Sequence, residues 1–209
     1  MPRQGRGRRS GAVLRPPPRA QRSPIDQLVA PLLDERVGDV YISAGEIRRR
    51  VGELGEQIAV DYDGREPLLV ASLKASLVFL TDLSRAIGIP HHVEFVELAG
   101  YNGAPTGGHN AIRLLKDLDV EIEDRDVLIV EDVIDTGLTL RYLVKTLALR
   151  QPRSLAAATL LDRPYRRLVG DLPVRYVGFV VPDELFVGYG FDLDERFRNL
   201  PDLHVLRAA

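Results

Sequence analysis

Residues 127–140 read VLIVEDVIDTGLTL, and the order of residue types in that stretch decides how the rest of the chain is read. Val127 to Val130 are apolar and mostly β-branched, the mark of a strand covered on both faces. The strand expected over 126–131 runs straight into Glu131 and Asp132, then Asp135, then Thr136-Gly137-Leu138-Thr139. A strand that served only the core would not end on adjacent carboxylates. In an open α/β sheet, ligands sit beyond the carboxyl ends of the strands. Backbone N–H groups over 135–139 can wrap an anion, with Gly137 permitting close approach and the following helix adding the positive end of its dipole. Thr136 and Thr139 add hydroxyl donors. The pattern GxxxxGK[ST] is absent, so this is not a P-loop. Acids ahead of a phosphate cradle call for a ligand with a phosphate at one end and hydroxyls or a metal beside it, a description that a ribose 5′-phosphate meets. The spacing alone also admits a plainer arrangement, in which Asp135 only caps the helix and Glu131 and Asp132 are solvated.

Working outward, strand and helix patterns alternate. Ser43-x-x-Glu46 is a capping-box pattern opening a helix through Asp61, with Ile47, Val51, Leu54 and Ile58 on one face. Strands are expected at 67–72, 91–98, 111–116, 154–161 and 175–181, with helices at 76–87 and 138–150. That alternation predicts an α/β fold with a mainly parallel sheet. No internal repeat interrupts it.

Composition narrows the function classes. With 45% hydrophobic and 28% charged residues over 209, the chain suits one soluble domain of generous size. Residues 1–24 are rich in Arg, Gly and Pro and lack periodicity, which predicts a disordered tail ahead of a domain over 25–209. The tail carries seven arginines and no acid, so the remaining chain is strongly acidic. An acidic body argues against a large nucleic-acid face on the folded part; a contact through the tail stays open beside the simpler solvated extension. The absence of cysteine excludes disulfides, thiolate metal sites and a cysteine nucleophile. No apolar run is long enough to span a membrane and no secretory signal is visible, so the expected location is cytoplasmic.

VLIVEDVIDTGLTL resembles the phosphoribosyl-pyrophosphate (PRPP) motif of type I phosphoribosyltransferases, and is most similar to the hypoxanthine-guanine branch. The resemblance continues, in the family's order, through LLVASLKAS (68–76), LLDRP (160–164) and VPDELFVGYGFDLDERFRNLP (181–201), and covers residues 37–207. It implies a parallel sheet flanked by helices, a small hood near the C-terminus and a mobile lid loop. It also implies transfer of the phosphoribosyl group of PRPP to a 6-oxopurine with Mg²⁺ as cofactor, by a chain that pairs as a homodimer or homotetramer.

Carried over by position, the resemblance gives the residues roles. Glu131 and Asp132 would lie beside the ribose and its Mg²⁺, and Asp135 would handle the proton at purine N7. Asp135, Thr136, Gly137, Leu138 and Thr139 would hold the 5′-phosphate. Leu73, Lys74 and Ala75 match a turn that presents N–H groups to pyrophosphate through a non-proline cis peptide, and Arg198 would join them. Asp192 would reach Mg²⁺ near the base. Arg163, Leu185 and Phe186 would meet the purine, beside Val187, and Gly100 and Tyr101 would belong to the lid, LAGYNGAPTGGHN (98–110).

Four positions depart from the family: Ala75 stands for a glycine, Arg163 for a lysine, Leu185-Phe186 inverts the stacking pair, and Gly100 replaces a serine. An arginine's planar fork is not equivalent to an ammonium. These departures leave open altered base preference, or a catalytically weak PRPP- or nucleotide-binding regulatory protein on the same fold. His91, His92, His109 and His204 form no recognisable constellation.

Overall fold

A strand buried on both faces sends alternate side chains into two different cores, and the central strands do so. The computed structural model describes residues 35–99 and 112–207. In it, β2 (Leu68–Leu73) places Leu69 and Ala71 in one core and Leu68 and Val70 in the other. After β1 (Val37–Ile42), β3 (His92–Ala99) and β4 (Arg113–Lys116), β5 (Asp126–Ile134) repeats the pattern. Its Leu128 and Val130 enter the first core, while Val127 and Ile129 enter the second. With β6 (Ser154–Asp162) and β7 (Val174–Val180), these strands form a six-stranded sheet ordered β4-β3-β2-β5-β6-β7. All neighbours are parallel except β4, which lies antiparallel on β3 at the edge.

Helices cover both faces. On one side, α1 (Ala44–Asp61) begins with the capping box the sequence predicts. Ser43 Oγ accepts from Glu46 N–H, and Glu46 Oε2 accepts from Ser43 N–H at 2.9 Å. Ile47, Val51, Leu54 and Ile58 are buried along its inner face, each contributing about 1.5–3 kcal/mol. It packs on α2 (Ser76–Ala86), where a Cβ at Gly55 would lie 2.6 Å from Ala86. The opposite face is covered by α3 (Leu138–Ala148) through Leu140, Leu143 and Leu147.

A second, three-stranded antiparallel sheet has the order β1-β9-β8, with β8 (Phe186–Val187) and β9 (Leu203–Leu206). Its short strands carry too little periodicity to be predicted locally. It joins the earliest described strand to the latest, Val37 opposite Leu206.

One boundary shifts with chemical consequence. β5 runs on to Ile134, because Val133 and Ile134 continue the pairing with Leu161 and Asp162 of β6. Asp132 is therefore a strand residue, as Glu131 is in its pairing with Thr159, rather than the start of the turn. The tail 1–24 and the lid residues Gly100, Tyr101 and His109 lie outside the described residues. No helix among the described residues is long and apolar enough to cross a membrane.

Candidate active site

The turn after β5 is shaped by one glycine. Gly137 has φ +81°, and a Cβ there would sit 2.8 Å from Leu172 Cδ1 and 2.9 Å from Val169 Cγ2. A side chain is thus excluded by both backbone conformation and space. Gly137 caps α3 without a side-chain bond to the helix N-terminus; the nearest substitute is a long 3.4 Å contact from Leu138 N to Thr136 Oγ1. The first-turn N–H groups of a helix have no intrahelical acceptors and favour an anion. Thr136, Gly137 and Thr139 line a cavity of about 290 Å³ together with Ser72, Glu131, Asp132 and Asp135.

The three acids in that cavity have different surroundings. Glu131 is buried, and its Oε1 has no partner among the described residues. Burial, reinforced by the neighbouring Asp132 charge, drives its pKa well above the ordinary carboxylate range. Burial also raises Asp132 to about 6, opposed by backbone N–H groups and, more distantly, by Arg198 and Arg163. An orphaned oxygen beside a second acid is costly unless a cation or hydroxyl arrives. Among the described residues no group of three or more acids or histidines is arranged to hold a metal by itself.

Asp135 stands where the ends of β5 and β6 meet. Its Oδ2 lies 3.5 Å from Arg163 Nη1 and 3.5 Å from Arg166 Nη1, while its Oδ1 is buried without a partner. Arg163 is itself buried, donates through Nη2 to the Glu184 carbonyl, and leaves Nε unpartnered. Its guanidinium lies 5.6 Å from the Phe186 ring centroid, and the Tyr41 ring packs on Phe186 at 5.0 Å. Phe186 turns inward in β8, where Val187 is buried as well, and Leu185, just outside that strand, is 60% exposed. Phe186 is therefore committed to Arg163 and Tyr41, and Leu185 is the side chain left at the surface.

Across the cleft, the Leu73–Lys74 peptide is cis. Ala75 adopts an ordinary helical φ of −64°, so an alanine fits that position without a left-handed backbone. Gly190 comes so close that a Cβ would meet the Ala75 carbonyl oxygen at 2.3 Å. Arg198 donates to the Gly190 carbonyl at 2.8 Å and pairs with Asp192 at 2.8 Å. Glu195 joins Lys74 at 3.1 Å to Arg198 at 3.2 Å. Lys74, Arg198 and Asp192 are thus brought into one charged network with Glu195, while Arg163, Asp135 and Phe186 form another.

Sequence reasoning singled out neither Glu195 nor Arg166. Glu195 lies in the charged run DLDERFR and Arg166 in RPYRR, where several like residues compete and local pattern does not choose between them. The described histidines hold structural contacts: His91 Nε2 with Ser84 Oγ at 2.8 Å, His92 with Glu66 at 3.5 Å, and buried His204 with the Gly38 carbonyl at 3.1 Å.

Comparison with known proteins agrees with this geometry. The phosphoribosyl transferase domain family matches residues 42–188. The hypoxanthine phosphoribosyltransferase of Salmonella typhimurium is 47% identical over 165 residues, covering 78% of this chain and 92% of that protein. The hypoxanthine-guanine phosphoribosyltransferase of Mycobacterium tuberculosis H37Rv is 45% identical over 170 residues, covering 78% and 83%. A crystal structure of a hypoxanthine-guanine phosphoribosyltransferase from Bacillus anthracis superposes with a TM-score of 0.76 at 40% identity, covering 83% of this chain and 99% of that one.

Proposed function

The chain belongs to the phosphoribosyltransferase family, and from that membership we propose that it transfers the phosphoribosyl group of PRPP to a 6-oxopurine, hypoxanthine or guanine. The products are the nucleoside monophosphate and pyrophosphate, a purine-salvage reaction. The observation that carries this reading is the single cavity in which Glu131, Asp132 and Asp135 face the Thr136–Thr139 turn.

The reaction breaks the bond from ribose C1′ to pyrophosphate oxygen and forms a bond from C1′ to purine N9. Positive charge develops on the ribose between those events. Glu131, buried with an unpartnered oxygen, and the adjacent Asp132 are suited to ribose hydroxyls and to that charge. The turn 135–139 takes the 5′-phosphate on backbone N–H groups and the Thr136 and Thr139 hydroxyls. Lys74 and Arg198, with the N–H groups of 73–75, take pyrophosphate. Asp135 accepts the proton leaving N7 as N9 attacks. Arg163 donates to the 6-oxo group, and Leu185 covers the ring where an aromatic would stack in relatives.

The orphaned Glu131 oxygen and the adjacent Asp132 fit an oxygen-liganded divalent cation. Glu131 and Asp132 would hold Mg²⁺ on the ribose side, directly or through water, and Asp192 would reach Mg²⁺ near the base, with the remaining ligands from substrate. Bound there, Mg²⁺ supplies charge neutralisation of pyrophosphate and ribose oxygens. The reading includes assembly into dimers or tetramers, which light scattering of the purified protein checks.

The test offers PRPP and Mg²⁺ with hypoxanthine, guanine, xanthine and adenine separately, reading nucleotide and pyrophosphate. Turnover with a 6-oxopurine is expected. Asp135→Asn should lower kcat by about 10²–10⁴-fold, the range for lost general acid–base catalysis, with nucleotide affinity falling modestly. Tight PRPP binding without turnover on any base would overturn the reading.

A further inference from the structure

The Asp135 carboxylate is gripped on one side only. Both arginine contacts, from Arg163 Nη1 and Arg166 Nη1, converge on Oδ2 at 3.5 Å, and Oδ1 is buried with no partner among the described residues. The two arginines come from one short element. Arg163 precedes the 3-10 turn Pro164–Arg166, and Arg166 N–H donates to the Arg163 carbonyl at 3.2 Å, which fixes the spacing of the pair. Arg163 is engaged elsewhere too, with Glu184 and the Phe186 ring, and its Nε waits unpartnered. Arg166 has one other charged partner, Asp183 at the rim, at 3.2 Å.

We infer that Arg166 is a positioning residue for the transfer reaction: it holds Asp135 Oδ2, and so presents Oδ1 to the ring nitrogen that loses its proton. The inference rests on the proposed function, since it needs Asp135 to act as the base. The physical case turns on what happens to Arg163 when a purine arrives. A 6-oxo oxygen competes with Asp135 for the Arg163 fork, which is the more buried of the two donors. Once Arg163 turns to that oxygen, Asp135 keeps one cation, Arg166. The carboxylate must stay ionised until the N9–C1′ bond forms, while the C1′–oxygen electron pair leaves with pyrophosphate. The N7 proton then passes to Oδ1. Arg166 is oriented by its own turn, with Asp183 only at the exposed rim, so it can hold Asp135 without contacting the base.

The experiment is steady-state kinetics, at saturating Mg²⁺ and PRPP, on full-length wild type, Arg166→Gln, Arg166→Lys, Asp183→Asn, Asp135→Asn and the double variant Asp135→Asn/Arg166→Gln. Small misplacements of a reacting group cost up to about a hundredfold, so Arg166→Gln is expected to lower kcat about tenfold to a hundredfold with KM for the base within about threefold. Arg166→Lys, which keeps the charge, should recover part of that loss. Asp183→Asn should cost less than about twofold, because Asp183 only steadies the far side of the guanidinium. In the Asp135→Asn background the further loss from Arg166→Gln should vanish, the signature of two residues acting on one step.

A kcat for Arg166→Gln equal to wild type overturns the inference. So does an equal loss in Asp183→Asn, which would make Arg166 a rim latch, and so does an additive double variant. If folding of Arg166→Gln fails, Arg166→Lys and the cycle built from it decide by the same criteria. Failure of the functional reading looks different: wild type itself would form no nucleotide with any base.

Discussion

Glu131 carries a buried, partnerless carboxylate oxygen at the centre of the sheet, an arrangement that folding alone would select against. Its neighbour Asp132 is half-buried. Replacing Glu131 with Gln removes a group whose charged form is penalised by burial. The expected result is a ligand-free protein at least as stable as wild type, by up to about 1–2 kcal/mol, bought with weaker PRPP use. Urea unfolding and the KM for PRPP check both halves, and a marked loss of stability would show that Glu131 has a structural partner. The sequence announced that acids follow an apolar strand. It did not announce that the strand runs on through Asp132 to Ile134, because that extension is set by pairing with Leu161 and Asp162 of β6, far apart in sequence. Glu195 and Arg166 were hidden for the same reason: each is selected by a partner on another segment, Lys74 and Asp135 respectively.

At the scale of elements, what was legible follows how local the cause is. The capping box and apolar face of α1 are written within eighteen residues, and the both-face-buried runs of β2, β5 and β6 identify themselves by composition. β1, β8 and β9 are stabilised by one another rather than by their own pattern, and β8 has only two residues. The close approach of α1 and α2 was also unreadable, since Gly55 looks like any helical glycine until Ala86 lies against it. Gly55→Ala should therefore destabilise the protein by about 1–3 kcal/mol, although alanine is the better helix former. A fall in thermal midpoint checks it; a rise would mean that the helices separate at little cost.

At the scale of the molecule, the alternating pattern pointed to the parallel α/β sheet, and four ordered motifs pointed to the family. The small sheet could not be read this way, because its pairing spans the domain. The family match begins at residue 42 and the described structure at residue 35, well beyond the arginine-rich tail. Deleting residues 1–24 should leave kcat and KM within about twofold and the unfolding midpoint unchanged, because the family match and the described core both lie beyond them. A larger effect on turnover would assign the tail a part in catalysis.

The pairing of Val37 with Leu206 also sets an order of events during synthesis. β1 leaves the ribosome before any strand of the main sheet, yet β9, its only neighbour in the small sheet, emerges after all of them. At translation rates of roughly 5–20 residues per second, β1 waits on the order of ten seconds or more for its partner. Throughout that interval Val37 and Ile42 are denied their final cover, and Phe186 and Val187 of β8 arrive before the strand that must separate them from β1. The phosphate turn can form on the nascent chain well before the base side of the site is assembled. Closing the small sheet is thus the insertion of one short strand between two that are already present.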